Sequence, residues 1–253
     1  MKPDYPGSAD VPGLRKLWKL AFGDTDEFLD LFFSVAFSSN RCRCIREGDG
    51  ISAALYWLDM DCNGQKFAYI YAVATNPACR GRGLCRLLME DTAELLTAGG
   101  YDGAILVPQD AGLRTMYGKM GYLPATSLDQ VFCAGAGSTP CPVQEITAAD
   151  YAARRGALLP EGSILPGKAA LDFLAAFARF YAGDGFLAAV SQEQEHLRIL
   201  EYLGNPEAAP ALVAALGRTE ATLRRPGKGM EFSMYRPLTP SCKKPEYYPF
   251  AFD

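Results

Sequence analysis

Phe67-Ala-Tyr-Ile-Tyr-Ala-Val-Ala-Thr-Asn-Pro-Ala-Cys-Arg-Gly-Arg-Gly-Leu-Cys-Arg-Leu-Leu-Met89 is the stretch whose reading decides the fold. Its first part, from Gln65 to Thr75, reads as a strand rich in aromatic and β-branched residues. Strict alternation puts Tyr69, Tyr71, Val73 and Thr75 on one face and Ala68, Ile70, Ala72 and Ala74 on the other. Asn76-Pro77 stops the strand. Arg80 to Gly83 is a tight turn, and a helix follows from Leu84 to Ala98 with Leu84, Leu87, Leu88, Leu95 and Leu96 as its apolar stripe. This order gathers unpaired backbone N–H groups and the positive end of a helix dipole at one point, which suits a phosphate or pyrophosphate. The Gly-Lys-Ser/Thr of a P-loop and the Gly-x-Gly-x-x-Gly of a dinucleotide fold are both missing from it.

Upstream, Val11 to Phe22 has the spacing of an amphipathic helix, through Leu14, Leu17, Trp18 and Phe22, with Ser8-Ala-Asp10 ahead as a cap. A second helix starts after Asp24-Thr-Asp26 and sets Phe28, Leu31, Phe32, Val35 and Ala36 on one side. Arg41 to Glu47 and Ile51 to Met60 read as a hairpin around Gly48-Asp-Gly50, and Asn63-Gly64 turns the chain into the Gln65 strand. Three strands therefore meander into the turn. Downstream, Gly99-Gly100 closes the helix. Tyr101 to Val107 is a strand parallel to the third, because a helix joins the two. Asp110 to Lys119 is a short helix.

The turn Arg80-Gly81-Arg82-Gly83-Leu84-Cys85 resembles the acyl-CoA loop Gln/Arg-x-x-Gly-x-Gly/Ala of the GNAT (GCN5-related N-acetyltransferase) superfamily, with Cys85 where Gly or Ala is usual. The stretch Asp110 to Tyr122 resembles the family's second motif, Asn-x-x-Ala-x-x-Leu-Tyr-x-x-x-Gly-Phe; Asp110, Leu113 and Met116 replace Asn, Ala and Leu, while Tyr117, Gly121 and Tyr122 fit. The resemblance implies an α/β fold with a mixed sheet, acetyl-CoA as co-substrate and transfer of the acetyl group to an amine by direct attack. It places the pyrophosphate on Arg80, Gly81, Arg82, Gly83, Leu84, Cys85 and Arg86, and pantetheine and thioester against a bulged strand at Val73, Ala74 and Thr75. Tyr117 takes the position that protonates the departing thiolate, a task a phenol can perform. The Tyr-Gly-Lys-Met-Gly-Tyr run (Tyr117 to Tyr122) is also similar to the Eis-like (enhanced intracellular survival) branch. There a terminal carboxylate acts as base, which brings Asp253 forward; Asp59, Asp61 and Glu27 are the other carboxylates considered. A non-catalytic acyl-CoA-binding regulator is the alternative function.

The organisation expected is a catalytic domain over 1–133, a linker over 134–142, a degenerate GNAT-like domain over 143–240 and a packed aromatic tail over 241–253. The second half repeats the order helix, helix, hairpin, helix, strand without the loop: Val143 to Ile146, Ala148 to Leu159, Lys168 to Tyr181, Gly185 to Ser191, His196 to Leu203, Glu207 to Leu216, Glu220 to Arg225 and Met230 to Tyr235. Asn205-Pro206 stands where Asn76-Pro77 stands, but Glu207-Ala-Ala-Pro210 is acidic and cannot cradle an anion. This half is expected to wall the acceptor site, and His196, the one histidine, to be structural.

The net charge of −4 over 253 residues argues against nucleic acid as partner and tilts towards a cationic acceptor, small molecule or peptide. Eight scattered Cys without a Cys-x-x-Cys pair suggest reduced thiols in a cytoplasmic protein and no metal site. Met1 to Gly7 lacks the apolar run of a signal peptide, and no stretch has the length of a membrane span.

Overall fold

A computed structural model of the chain describes residues 2–48, 50–135, 142–191 and 196–252. Two compact units emerge: Met1–Leu123 with Leu165–Phe173 and Met234–Lys244, and Pro124–Ile164 with Leu174–Ser233 and Pro245–Asp253. Among the described residues the chain is a mixed α/β structure with two seven-stranded sheets.

In the first unit, α1 (Val11–Phe22) and α2 (Asp26–Val35) precede the antiparallel strands β1 (Cys42–Glu47), β2 (Gly50–Cys62) and β3 (Gln65–Thr75). The cap expected from Ser8-Ala-Asp10 does not form as such: Asp10 makes no side-chain cap bond and pairs with Arg46 instead. Thr25 does cap α2, accepting from the Phe28 N–H. The chain then crosses through α3 (Leu84–Ala98) to β4 (Gly103–Leu106), parallel to β3, and on to α4 (Ala111–Gly118) and β5 (Leu123–Pro124). On one face of this sheet Trp18 packs 4.7 Å from Phe32, 5.0 Å from Tyr56 and 5.6 Å from Tyr71, centroid to centroid. On the other, Leu84, Leu88 and Leu96 of α3 meet Ile45, Leu55, Trp57, Ala68 and Ile70.

The remaining elements are β6 (Ser127–Ala134), β7 (Val143–Ile146), α5 (Ala148–Arg155), β8 (Leu165–Pro166), α6 (Lys168–Phe177), β9 (Ala178–Gly183), β10 (Phe186–Ser191), β11 (Leu197–Gly204), α7 (Ala209–Ala215), β12 (Glu220–Pro226), β13 (Met230–Glu231) and β14 (Met234–Pro237). The first sheet is ordered β1-β2-β3-β4-β14-β5, with β8 on β2; the second is β13-β6-β12-β11-β10-β9-β7. Antiparallel β9, β10 and β11, then α7, then β12 parallel to β11 repeat the plan of the first sheet. Asn76 and Asn205 even repeat one turn: each side chain accepts the N–H two residues on, at 3.0 Å.

Three readings are corrected. The helix expected to Tyr181 ends at Phe177, because Ala178–Gly183 is claimed by pairing with β10; tertiary pairing outweighs helical spacing. The strand expected over Met230 to Tyr235 splits, β13 pairing with β6 and β14 with β4. Finally, β6 pairs with β12, so the sheets exchange strands across the linear division drawn at 134–142. His196 is exposed and lies ahead of β11.

The second unit buries the charged pair Arg155 and Glu201. Arg155 and Glu201 are 1% and 0% exposed, joined Nε to Oε2 at 2.6 Å and Nη2 to Oε1 at 2.7 Å. Arg155 also donates to the Ile164 carbonyl at 3.1 Å, and the Tyr151 hydroxyl donates to Glu201. The guanidinium lies 5.4 Å from the centroid of the Phe250 ring. Tyr247, Tyr248, Phe250 and Phe252 of the tail are all buried. Tyr247 accepts from the Ile164 N–H at 2.9 Å and Glu246 donates to Gly162 at 2.9 Å.

Candidate active site

The strand β3 leaves its parallel neighbour early. Only Phe67, Ala68 and Tyr69 pair with β4, opposite Gly103, Ala104 and Ile105. Beyond them, among the described residues, the pairing of β3 with β4 does not continue. Ala72 has φ 47°, and the register against β2 slips between Ala54 and Tyr56. This is a β-bulge. Holding a non-glycine residue there costs about 1–3 kcal/mol, and the pairing with β2 on both sides of it supplies the constraint. The bulge corrects the strict alternation: Val73 packs into the α3-side core with Ala68 and Ile70 instead of joining Tyr69 and Tyr71.

After Asn76 one turn of 3-10 helix, Pro77–Cys79, leads into the loop. Gly81 and Gly83 stand at φ 77° and 76°, a region that a Cβ makes costly. The helix α3 starts directly after Gly83, which has no side chain to cap it, and its first turn carries no acidic residue. The N–H groups of that turn have no acceptor within the helix, and the dipole adds partial positive charge. Arg80 and Arg86 are exposed around it. Leu84 and Cys85 turn inward; Cys85 packs against the core, and burial pushes its thiol up. The Arg82 guanidinium is held by Glu47 through two 2.9 Å bonds.

Tyr117 lies near the end of α4, which Asp110 caps by accepting the Leu113 N–H at 2.8 Å. Asp here performs the capping expected of the Asn it replaces. The Tyr117 ring meets Tyr122 edge to face, centroids 5.8 Å apart. Burial pushes its phenol well above the ordinary value, and the neighbouring Cys85 adds to this. Among the described residues no side chain hydrogen-bonds its hydroxyl. It therefore holds its proton at neutral pH and is free to donate it. One core cluster contains Leu84 and Tyr117 and carries Val73, Cys79 and Cys85 against it. Cys85 lies close enough to Tyr117 to raise its phenol, so the loop's end and the phenol are neighbours.

Asp59 stands apart from them. Asp59 lies opposite Ala68, at the other end of β3 from Val73. It accepts from Arg41 Nη2 at 2.5 Å and from the Tyr101 hydroxyl at 2.5 Å. Burial raises its carboxyl, but these two partners outweigh that and hold it below the usual range. Tyr101→Phe should cost about 1–2 kcal/mol in urea unfolding, because a half-buried carboxylate loses a donor. Asp61 and Glu27 are exposed, and Asp253 lies outside the described residues. Glu47 escaped the sequence reading. In an antiparallel meander the ends of β1 and β3 fall at the same edge, so the hairpin register was the signal that could have found it.

A strand splayed by a bulge, followed by an uncapped helix N-terminus with a buried phenol beside it, defines the acyltransferase class of fold. Residues 4–125 match the family model described as acetyltransferase (GNAT) domain, and this part of the chain is a GNAT domain. Its structure is similar to a GCN5-related N-acetyltransferase from Kribbella flavida (17% identity, TM-score 0.73, 93% of this chain and 70% of that one). It is similar also to one from Anabaena variabilis (16%, 0.75, 94% and 73%) and to Eis1 from Mycobacterium abscessus (12%, 0.67, 94% and 74%). At these identities the likeness concerns the fold, which is Eis-like. No curated protein matches the chain. Among the described residues no helix is long and apolar enough to cross a membrane.

Proposed function

We propose that the chain is an N-acetyltransferase that moves an acetyl group from acetyl-CoA to an amine by direct attack in a ternary complex. The observation that carries this is the splay of β3 from β4 at a bulge, directly ahead of an uncapped helix N-terminus. The N–H groups of the loop from Gly81 to Arg86 would hold the pyrophosphate, with Arg80 and Arg86 adding charge. The backbone at Val73, Ala74 and Thr75 would pair with pantetheine and donate to the thioester carbonyl. One such donor is worth about 3 kcal/mol of barrier. Tyr117 would give its proton to the departing sulfur. The amine must shed a proton first; Asp59 is committed to Arg41 and Tyr101, which leaves Asp61, Glu27, Asp253 or water. Cys42, Cys44, Cys79, Cys85, Cys133 and Cys242 are free thiols, which favours a cytoplasmic setting. The acidic balance favours a cationic acceptor, small molecule or peptide.

Thermal unfolding with and without acetyl-CoA tests the site. At about 100 times its dissociation constant the ligand should add about 2.7 kcal/mol, a rise of several degrees. Gly83→Asp should abolish the rise, because its carboxylate would stand at the start of α3 and repel a second anion; the unliganded unfolding midpoint reports that the variant is folded despite a Cβ at φ 76°. Free thiol released against a panel of amines then tests transfer. A CoA-induced shift with no thiol release from any amine would favour the non-catalytic CoA-binding regulator. No shift at all would refute both readings.

A further inference from the structure

Arg82 stands between the two glycines of the loop. Its Nη1 donates to Glu47 Oε2 at 2.9 Å and its Nη2 to Oε1 at 2.9 Å. Glu47 is the last residue of β1. The Cys79 thiol also points at Oε2, 3.7 Å away. One carboxylate therefore ties together the end of β1, the turn leading into the loop and the residue at the middle of the loop. The carboxyl sits below its usual range, chiefly because Arg82 bonds it.

We propose that Glu47 is a positioning residue for the pyrophosphate loop, holding Arg82 as a strut, and that Arg82 is not itself a phosphate ligand. The proposal rests on reading the loop as an acyl-CoA site. Two parallel N–H···O bonds between a planar guanidinium and a carboxylate fix direction as well as distance. The residue so fixed is flanked by glycines at φ 77° and 76°, where the backbone has the most freedom to lose. An anchored Arg82 keeps the N–H groups on either side aimed before the ligand arrives; without the anchor, binding must order the loop. The alternative, in which Arg82 swings to the pyrophosphate, strips Glu47 of its partner and leaves a bare carboxylate beside the incoming anion. Arg80 and Arg86 are exposed and have no such carboxylate among the described residues, so they are the cations free to meet phosphate.

A double-mutant cycle separates the two roles. CoA is titrated calorimetrically into wild type, Glu47→Gln, Arg82→Gln and the double variant, with acetyl-CoA kinetics alongside. Each single change should weaken binding by about threefold to tenfold, and the double should be no worse than the poorer single, because both remove one interaction. KM for acetyl-CoA should rise with kcat unchanged, a split that general loss of structure would not produce. Unliganded unfolding midpoints report that each variant is folded. Tighter binding by Glu47→Gln would overturn the strut and make Arg82 a ligand that Glu47 restrains. Unchanged binding in both singles, or fully additive losses in the double, would also overturn it. A wild type that binds no CoA would remove the reading of the loop itself and the strut with it, an outcome distinct from a binding wild type with indifferent variants.

Discussion

Replacing Arg155 by Met should destabilise the second unit by about 3–5 kcal/mol, the usual result of leaving a buried charge without its partner. Glu201 is 0% exposed, and the polar groups beside it after the change would be the hydroxyls of Tyr151 and Tyr247. An uncompensated carboxylate in such a place is costlier charged than neutral. The loss, measured by urea unfolding, should therefore be larger at pH 7 than at pH 5. Adding Glu201→Leu should recover most of it, since apolar replacements of a whole buried pair are often neutral or better. The Tyr151 hydroxyl would then lack its acceptor, so a further Tyr151→Phe should recover more. A loss below about 1 kcal/mol for Arg155→Met would mean that water reaches Glu201 when the guanidinium leaves.

That pair illustrates where sequence reading stops. Arg155 and Glu201 are separated by a helix and several strands, and no local pattern distinguishes them from solvated charges until the sheet brings them together. The first unit was more legible because its signals are local: Asn63-Gly64 demands a hairpin, Gly81 and Gly83 demand a left-handed turn, and the leucine stripe of α3 demands a sheet to cover. The bulge at Ala72 was not readable from alternation, since an alanine suits either face and leaves no hydrophobic mark of the extra residue. The resemblance to a known family supplied the bulge where the pattern did not. The strand exchange between the sheets was out of reach for another reason. Met230 to Tyr235 has one uniform strand propensity, and only the partners available on each side divide it at Phe232-Ser233. Glu47 lies between these cases. Its contact with Arg82 is long-range, yet the strand order places it at the correct edge.

Tyr117→Phe should lower kcat by about a hundredfold, the lower end of what a positioned general acid contributes, while the dissociation constant for acetyl-CoA changes little. Phe keeps the ring, so the edge-to-face contact with Tyr122 survives and the fold should hold. What is lost is the proton that the proposed mechanism gives to the departing sulfur. Burial and the nearby Cys85 hold the wild-type phenol well above its ordinary range, and the sign of this matters. An acid whose ionisation is shifted upward stays protonated through neutral and mildly alkaline pH. The alkaline limb of the wild-type kcat profile should therefore not appear near pH 10, the ordinary value for a phenol. A limb that does appear there and vanishes in Tyr117→Phe would show that the site admits water and that the phenol is not desolvated when acetyl-CoA is bound. A variant that retains full kcat would carry a different message: the thiolate finds its proton from solvent, and Tyr117 serves the site only as part of the packing that joins the end of β3 to the start of α3.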